Sequence, residues 1–180
     1  MTDFIADTSV LSSFARTNHL SLLPALLDGS RVLTTPEVLK EVRDGVPQHP
    51  GLGVILAAEW LAPVSLSTAA ELSTFAACYR RADLGESTVL AYAKHHGAVV
   101  LLDDKVGRVL AQEQAIAFKG SLWLLARALH QQLLDEPQVS RLIDAMRACG
   151  SRLPCTGADF LPWAHQNGLL PVVPTARRPL

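Results

Sequence analysis

The chain has 180 residues and a formal net charge of −1. That length suits one domain whose core needs no staples, and the charge excludes a protein that coats nucleic acid by basicity alone. Any nucleic-acid contact must be local, metal-mediated, or shared with a partner or second subunit.

The elements read in chain order as follows. Phe4-Ile5-Ala6 is a short buried strand that stops at Asp7, and a helix patterned on Val10, Leu11 and Phe14 follows, capped by Asp, Thr or Ser. Leu20 to Leu27 is a second helix, closed by Asp28-Gly29. Arg31 to Thr35 is strand two, and Pro36 starts a helix that includes Glu37 to Val42. Residues 44–53 form a loop rich in Pro and Gly, and Val54 to Ala58 is helical. Leu61 to Leu66 is a third strand, and Ser67 or Thr68 caps a helix that runs to about Arg80. Asp83-Leu84-Gly85-Glu86 opens the next helix, which continues to His96 and stops at Gly97. Ala98 to Leu102 is apolar on both faces, as a central parallel strand is. Asp103-Asp104 end it, and a helix to Gln112 follows. Ile116 to Phe118 is the last strand, before helices over Leu122–Leu134 and Pro137–Ala148.

Strands alternate with helices, which predicts an α/β fold of three layers, α/β/α, around a mainly parallel sheet. The expected organisation is one domain over residues 1–173, with a core at about 3–135 and a helical appendage at about 136–173. Residues 174–180 are expected to be a flexible tail. Cys78, Cys149 and Cys155 are odd in number and lack CxxC spacing, which argues against a disulfide framework or a zinc site. No apolar run reaches membrane-span length. The start Met1-Thr2-Asp3 is acidic where a secretory leader is positive. A cytoplasmic protein without membrane contact is expected.

Acidic residues stand at the carboxyl ends of the strands, where α/β sheets build their sites. Asp7 follows strand one, and Asp103 and Asp104 follow the central strand. Glu41 lies on the helix after strand two, and Glu86 opens the helix that leads into the Asp103 strand. Each acid alone has an ordinary role. Asp7 is a helix cap, Glu41 a solvated helix face, Glu86 a first-turn acid favoured by the helix dipole, and Asp103 a strand-end cap. Together they describe one mouth of one sheet. Carboxylates that converge repel each other, and a divalent cation relieves that repulsion. Oxygen ligands without Cys or clustered His suit Mg²⁺ or Mn²⁺.

The order of motifs resembles the PIN-domain family, in particular its bacterial and archaeal branch of predicted nucleic-acid-binding proteins related to toxin ribonucleases. Asp7-Thr8-Ser9-Val10-Leu11 resembles the opening motif, and Thr35-Pro36-Glu37-Val38-Leu39-Lys40-Glu41-Val42 the second block. Asp83-Leu84-Gly85-Glu86 with Ala91 and Ala93 resembles the third. Leu101-Leu102-Asp103-Asp104-Lys105 with Gly107, Arg108 and Ala111 resembles the fourth, and Lys119-Gly120-Ser121-Leu122 the closing turn. The resemblance implies that Asp7, Glu41, Glu86 and one of Asp103 or Asp104 hold the metal. The spacing from Glu86 in toxin members points to Asp104, whereas the closer branch points to Asp103. The resemblance further implies an endoribonuclease that acts on RNA, usually as a homodimer and beside a small antitoxin protein.

Ser9 is placed to hydrogen-bond a metal-bound water, and Lys105 and Arg108 to hold a flanking phosphate. Tyr79-Arg80-Arg81 reads as a basic rim or an exposed helix end. Trp60, Trp123 and Trp163 read as core or interface anchors. The competing reading is a non-catalytic module of the same fold that binds nucleic acid or protein. A phospho-acceptor signalling domain needs its acidic pair after strand one, and here the pair comes late. A dinucleotide enzyme needs GxGxxG after a strand, which is missing.

Overall fold

A computed structural model describes residues 2–170. Its centre is a five-stranded, wholly parallel sheet of order β3-β2-β1-β4-β5. The strands are β1 (Phe4–Ala6), β2 (Val32–Thr34), β3 (Leu61–Pro63), β4 (Val99–Leu101) and β5 (Phe118–Lys119). The helices between them are α1 (Thr8–Arg16), α2 (Leu22–Leu26), α3 (Pro36–Gly45), α4 (Gly53–Leu56), α5 (Ala69–Cys78), α6 (Leu84–His96) and α7 (Lys105–Glu113). After the sheet come α8 (Ser121–His130), α9 (Glu136–Ala148) and α10 (Phe160–Gln166). A parallel sheet must be covered on both faces, so its central strands are mostly apolar. Ile5, Ala6, Leu33, Val100 and Leu101 are fully buried.

Local chemistry sets most element ends. The Asp7 side chain accepts from the Ser9 N–H at 2.9 Å and caps α1. Thr35 caps α3 and Pro36 takes its first position. Thr68 and Glu71 form a reciprocal capping box on α5. Gly97, at φ 68°, ends α6 in the left-handed conformation that glycine adopts without strain.

Several boundaries differ from the sequence reading. Strand five is Phe118–Lys119, not Ile116–Phe118. Ile116 instead closes α7: its N–H reaches the Ala111 carbonyl at 2.8 Å after Ala115 turns to φ 55°. The α8 helix stops at His130, because Gln132 turns to φ 56° and the Leu133 N–H bonds back to Ala128. Strand three ends at Pro63. The helix α9 buries Val139, Leu142, Ile143 and Met146 in the same core as the sheet. Cys78 and Cys155 are buried thiols and Cys149 is half-buried, none of them bridged. The expected tail, 174–180, lies outside the described residues. Among those residues no helix is long and apolar enough to cross a membrane.

Candidate active site

The chain runs outward from β1 through β2 to β3, then returns to place β4 on the other side of β1. The β1–β4 boundary is therefore the topological switch point, where the carboxyl ends of adjacent strands open a crevice. Asp7 leaves β1 on one side of this crevice and Asp103-Asp104 leave β4 on the other. The strands are bonded to their ends, since the Asp7 N–H donates to the Leu101 carbonyl at 2.9 Å.

Ser9 ties the two ends together. Its hydroxyl donates to Asp7 Oδ2 at 2.6 Å and accepts from the Asp103 N–H at 3.0 Å. Glu41 is held from two directions. The Thr8 hydroxyl donates to Oε2 at 2.6 Å, and the Gly85 N–H donates to Oε1 at 2.8 Å. A side chain on α3 thus joins the start of α1 to the start of α6. Glu86, in the first turn of α6, is buried, and its Oε1 has no hydrogen-bond partner. Its backbone N–H donates to Asp83 Oδ1 at 2.8 Å, so Asp83 caps α6.

The two acids after β4 have different surroundings. Asp103 accepts from the Ser121 N–H at 2.9 Å, from the Ser121 hydroxyl at 2.5 Å and from Arg108 at 3.3 Å. Asp104 uses Oδ1 to cap α7 through the Val106 N–H at 2.7 Å and the Gly107 N–H at 3.4 Å. Asp104 is among the charges that raise the pKa of Glu86.

Three motif glycines make room for these carboxylates. A Cβ on Gly85 would come within 2.6 Å of Glu41 Oε1, and one on Gly107 would overlap Glu86 Oε1. A Cβ on Gly120 would come within 2.6 Å of Asp103 Oδ1 and overlap Arg108.

Burial, then like charge, sets the electrostatics. Asp7 is pushed up to about 6, mainly by loss of water, with Asp83 and Glu41 adding repulsion against the hydrogen bonds of Ser9. Glu86 is pushed up to about 8, again first by burial and then by Asp7, Asp104, Asp83 and Glu41.

Like-charge coupling links Glu86 to Asp7, Asp104, Asp83 and Glu41, and Ser9 ties Asp7 to the Asp103 backbone; of these acids, Asp83 is one that sequence reasoning passed over as part of a motif. Thr8 and Ser121 were also passed over as site residues. Their partners lie 33 and 18 positions away, beyond any local pattern. Arg108 is committed to Asp103 and to the Leu102 carbonyl. Lys105 stands exposed at the start of α7 and lines a cleft with Ser9. Of the proposed basic rim, Arg81 pairs with Glu113 and Tyr79 stacks on Phe75.

The donor set suits a hard divalent cation: carboxylates alone, two of them desolvated, and one buried oxygen without a partner. Among the described residues, no three His, Cys, Asp or Glu side chains already converge as a ready cage. The hydrogen bonds to Thr8, Gly85 and Ser121 hold Glu41 and Asp103 in place.

An all-parallel sheet with an acid-lined switch point is the arrangement of a PIN-type α/β domain. A family model described as PIN domain matches residues 3–157, and the chain belongs to that family. Among solved structures, one chain of the VapBC2 complex from Rickettsia felis, bound to a DNA fragment from its promoter, is similar in fold. The TM-score is 0.50 at 12% identity, covering 66% of this chain and 98% of that one. A search of curated protein sequences gives no significant match.

Proposed function

We propose that this PIN domain is a Mg²⁺- or Mn²⁺-dependent endoribonuclease. The observation that carries the reading is Glu86: a buried carboxylate with an unpartnered oxygen, facing like charges at the switch point of the sheet. Such a group is costly without a cation and useful with one.

Asp7, Glu86 and Asp104 would hold the ion, with Glu41 and Asp83 adding negative charge around it. Once bound, a divalent cation supplies Lewis acidity and acidified water for phosphodiester hydrolysis. The residues of the chain do the positioning. Ser9 fixes the Asp7 carboxylate and the Asp103 backbone relative to each other. Thr8 and Gly85 orient Glu41. Asp103 holds the β4 end against the start of α8 through Ser121. Burial excludes bulk water from Asp7 and Glu86. Lys105, on the rim, is placed to meet a substrate phosphate.

The test is cleavage of a single-stranded RNA oligonucleotide with Mn²⁺ or Mg²⁺, with chelator and with Glu86→Gln. Cleavage that needs the metal and is lost in the variant supports the reading. Chelator-resistant RNA binding without cleavage favours the non-catalytic module.

We further propose a small antitoxin as partner and a homodimer as the working form, cytoplasmic in location. This rests on the resemblance to toxin ribonucleases. The half-exposed apolar side chains Leu72 and Tyr79 on and just after α5 offer a face for such contact. Light scattering of the purified chain tests the dimer. Co-purification with the product of an adjacent gene tests the antitoxin.

A further inference from the structure

Two cavities meet at Asp103 and Arg152, on the α8 side of the acid cluster. The first, of about 480 Å³, is a cleft whose lining includes Ser9, Ser12, Arg16, Lys105, Ser151 and Arg152 together with the Asp103 and Asp104 carboxylates. Among the described residues these three cations form no ion pair. The second, of about 280 Å³, has a different chemistry. Its walls carry three aromatic rings, Phe118, Trp123 and Trp163, and three cations, Arg108, Lys119 and Arg152. The Asn167 amide also lines it.

The rings are not equivalent. Arg108 lies over the Phe118 ring at 5.9 Å, and Lys119 and Arg127 lie over Trp123 at 5.4 and 5.0 Å. Trp163, from α10, is half-buried and has no aromatic or cationic partner among the described residues. Asn167 donates its Nδ2 to the Trp163 carbonyl at 2.8 Å, one turn further along the same segment. Rings for stacking, cations for phosphate and an amide at the edge are what an unpaired nucleotide requires. A duplex would keep its bases stacked inside and could not offer one to this cavity.

We propose that the aromatic cavity seats one unpaired base of a single-stranded nucleic acid, stacked on Trp163, with the adjoining phosphate on Arg152. The backbone then runs through the serine-lined cleft, past Lys105, toward the acid cluster. The C-terminal helix α10, which carries none of the acids, becomes a determinant of substrate class. This inference rests on the nuclease reading for the direction of the strand but not for the binding itself.

The experiment measures binding in chelator, without metal, so that cleavage plays no part. The probe is a short, fluorescently labelled 2′-fluoro RNA of mixed sequence, single-stranded or annealed to its complement, and an abasic oligomer of equal length. Wild type should bind the single strand more tightly than the duplex or the abasic oligomer. Trp163→Ala should weaken single-strand binding by roughly tenfold, the size of one lost stacked base. It should leave abasic binding unchanged. Trp163→Phe should restore most of the affinity, and a thermal melt of each variant checks the fold. Binding by folded Trp163→Ala within about twofold of wild type overturns the base seat, since one stack is worth more. So does equal loss on the abasic oligomer. Metal-dependent cleavage with normal Trp163→Ala binding leaves the nuclease reading standing and removes the seat. Trp163-sensitive single-strand binding without any cleavage does the reverse.

Discussion

Replacing Glu86 with Gln is expected to stabilise the metal-free protein, the opposite of what removing a buried hydrogen-bonded acid would do. The Glu86 carboxyl has its pKa pushed up from 4.5 to about 8 by burial and then by neighbouring acids. It therefore holds its proton more tightly folded than unfolded. Its contribution to stability is complete below about pH 4.5 and is lost as the pH rises toward 8. At pH 7 the unfolded chain is about 2.5 units past its own pKa, which at ~1.4 kcal/mol per unit is about 3 kcal/mol. Glutamine has no such dependence, but it leaves an amide in the partner-poor space of Oε1, at ~1–3 kcal/mol. The net gain should be about 0–2 kcal/mol at pH 7 and about 1 kcal/mol larger at pH 8, and at pH 4.5, where only the cost of the amide remains, wild type should be the more stable. Urea titrations in chelator at pH 5, 7 and 8 measure it. Added Mn²⁺ should narrow or reverse the ranking, because a ligand of the folded state stabilises wild type by linkage and the variant much less. A variant less stable than wild type in chelator at pH 8 would refute the argument. So would a gap that does not shrink at pH 5.

Other substitutions separate the remaining roles. Gly107→Ala puts a methyl group where Glu86 Oε1 now lies, so it should cost about 1–3 kcal/mol in urea titrations and abolish cleavage. Asp103→Asn should lower the melting temperature, since it weakens the bonds from Ser121 and Arg108. Asp104→Asn should keep the α7 cap and fold, yet weaken Mn²⁺ binding in calorimetry. The reverse pattern would return the ligand role to Asp103. Glu71→Gln removes the charge that accepts from Ser67, Thr68 and His96 in the α5 capping box, at ~1–3 kcal/mol. The pKa of Glu71 is held down at about 2, first by the Ser67 N–H bond, so its stabilisation is present above about pH 4.5 and lost as pH falls through 2. Acid titration of the melting temperature should show that loss in wild type and not in the variant.

What the sequence determined by itself was local. The apolar run at β4, the cap residues Asp7, Thr35 and Thr68 and the stop at Gly97 act within four positions of themselves, so their chemistry is legible in one dimension. The acids at the strand ends were legible for the same reason, because a parallel α/β sheet sends every strand end to one mouth. Only the tertiary structure decided how each acid is used. Asp103 and Asp104 are neighbours with the same charge, yet one is tied to Ser121 on another element and the other caps its own helix. Glu41 is fixed by Thr8 and Gly85, which lie 33 and 44 positions away. The burial of Glu86 depends on Gly107 lacking a side chain on the facing helix. Trp163 and Trp123, 40 positions apart in the sequence, share a cavity only because α10 folds back on the end of the sheet. Carboxylate chemistry is set by desolvation and by partners, and both are properties of packing, not of residue type.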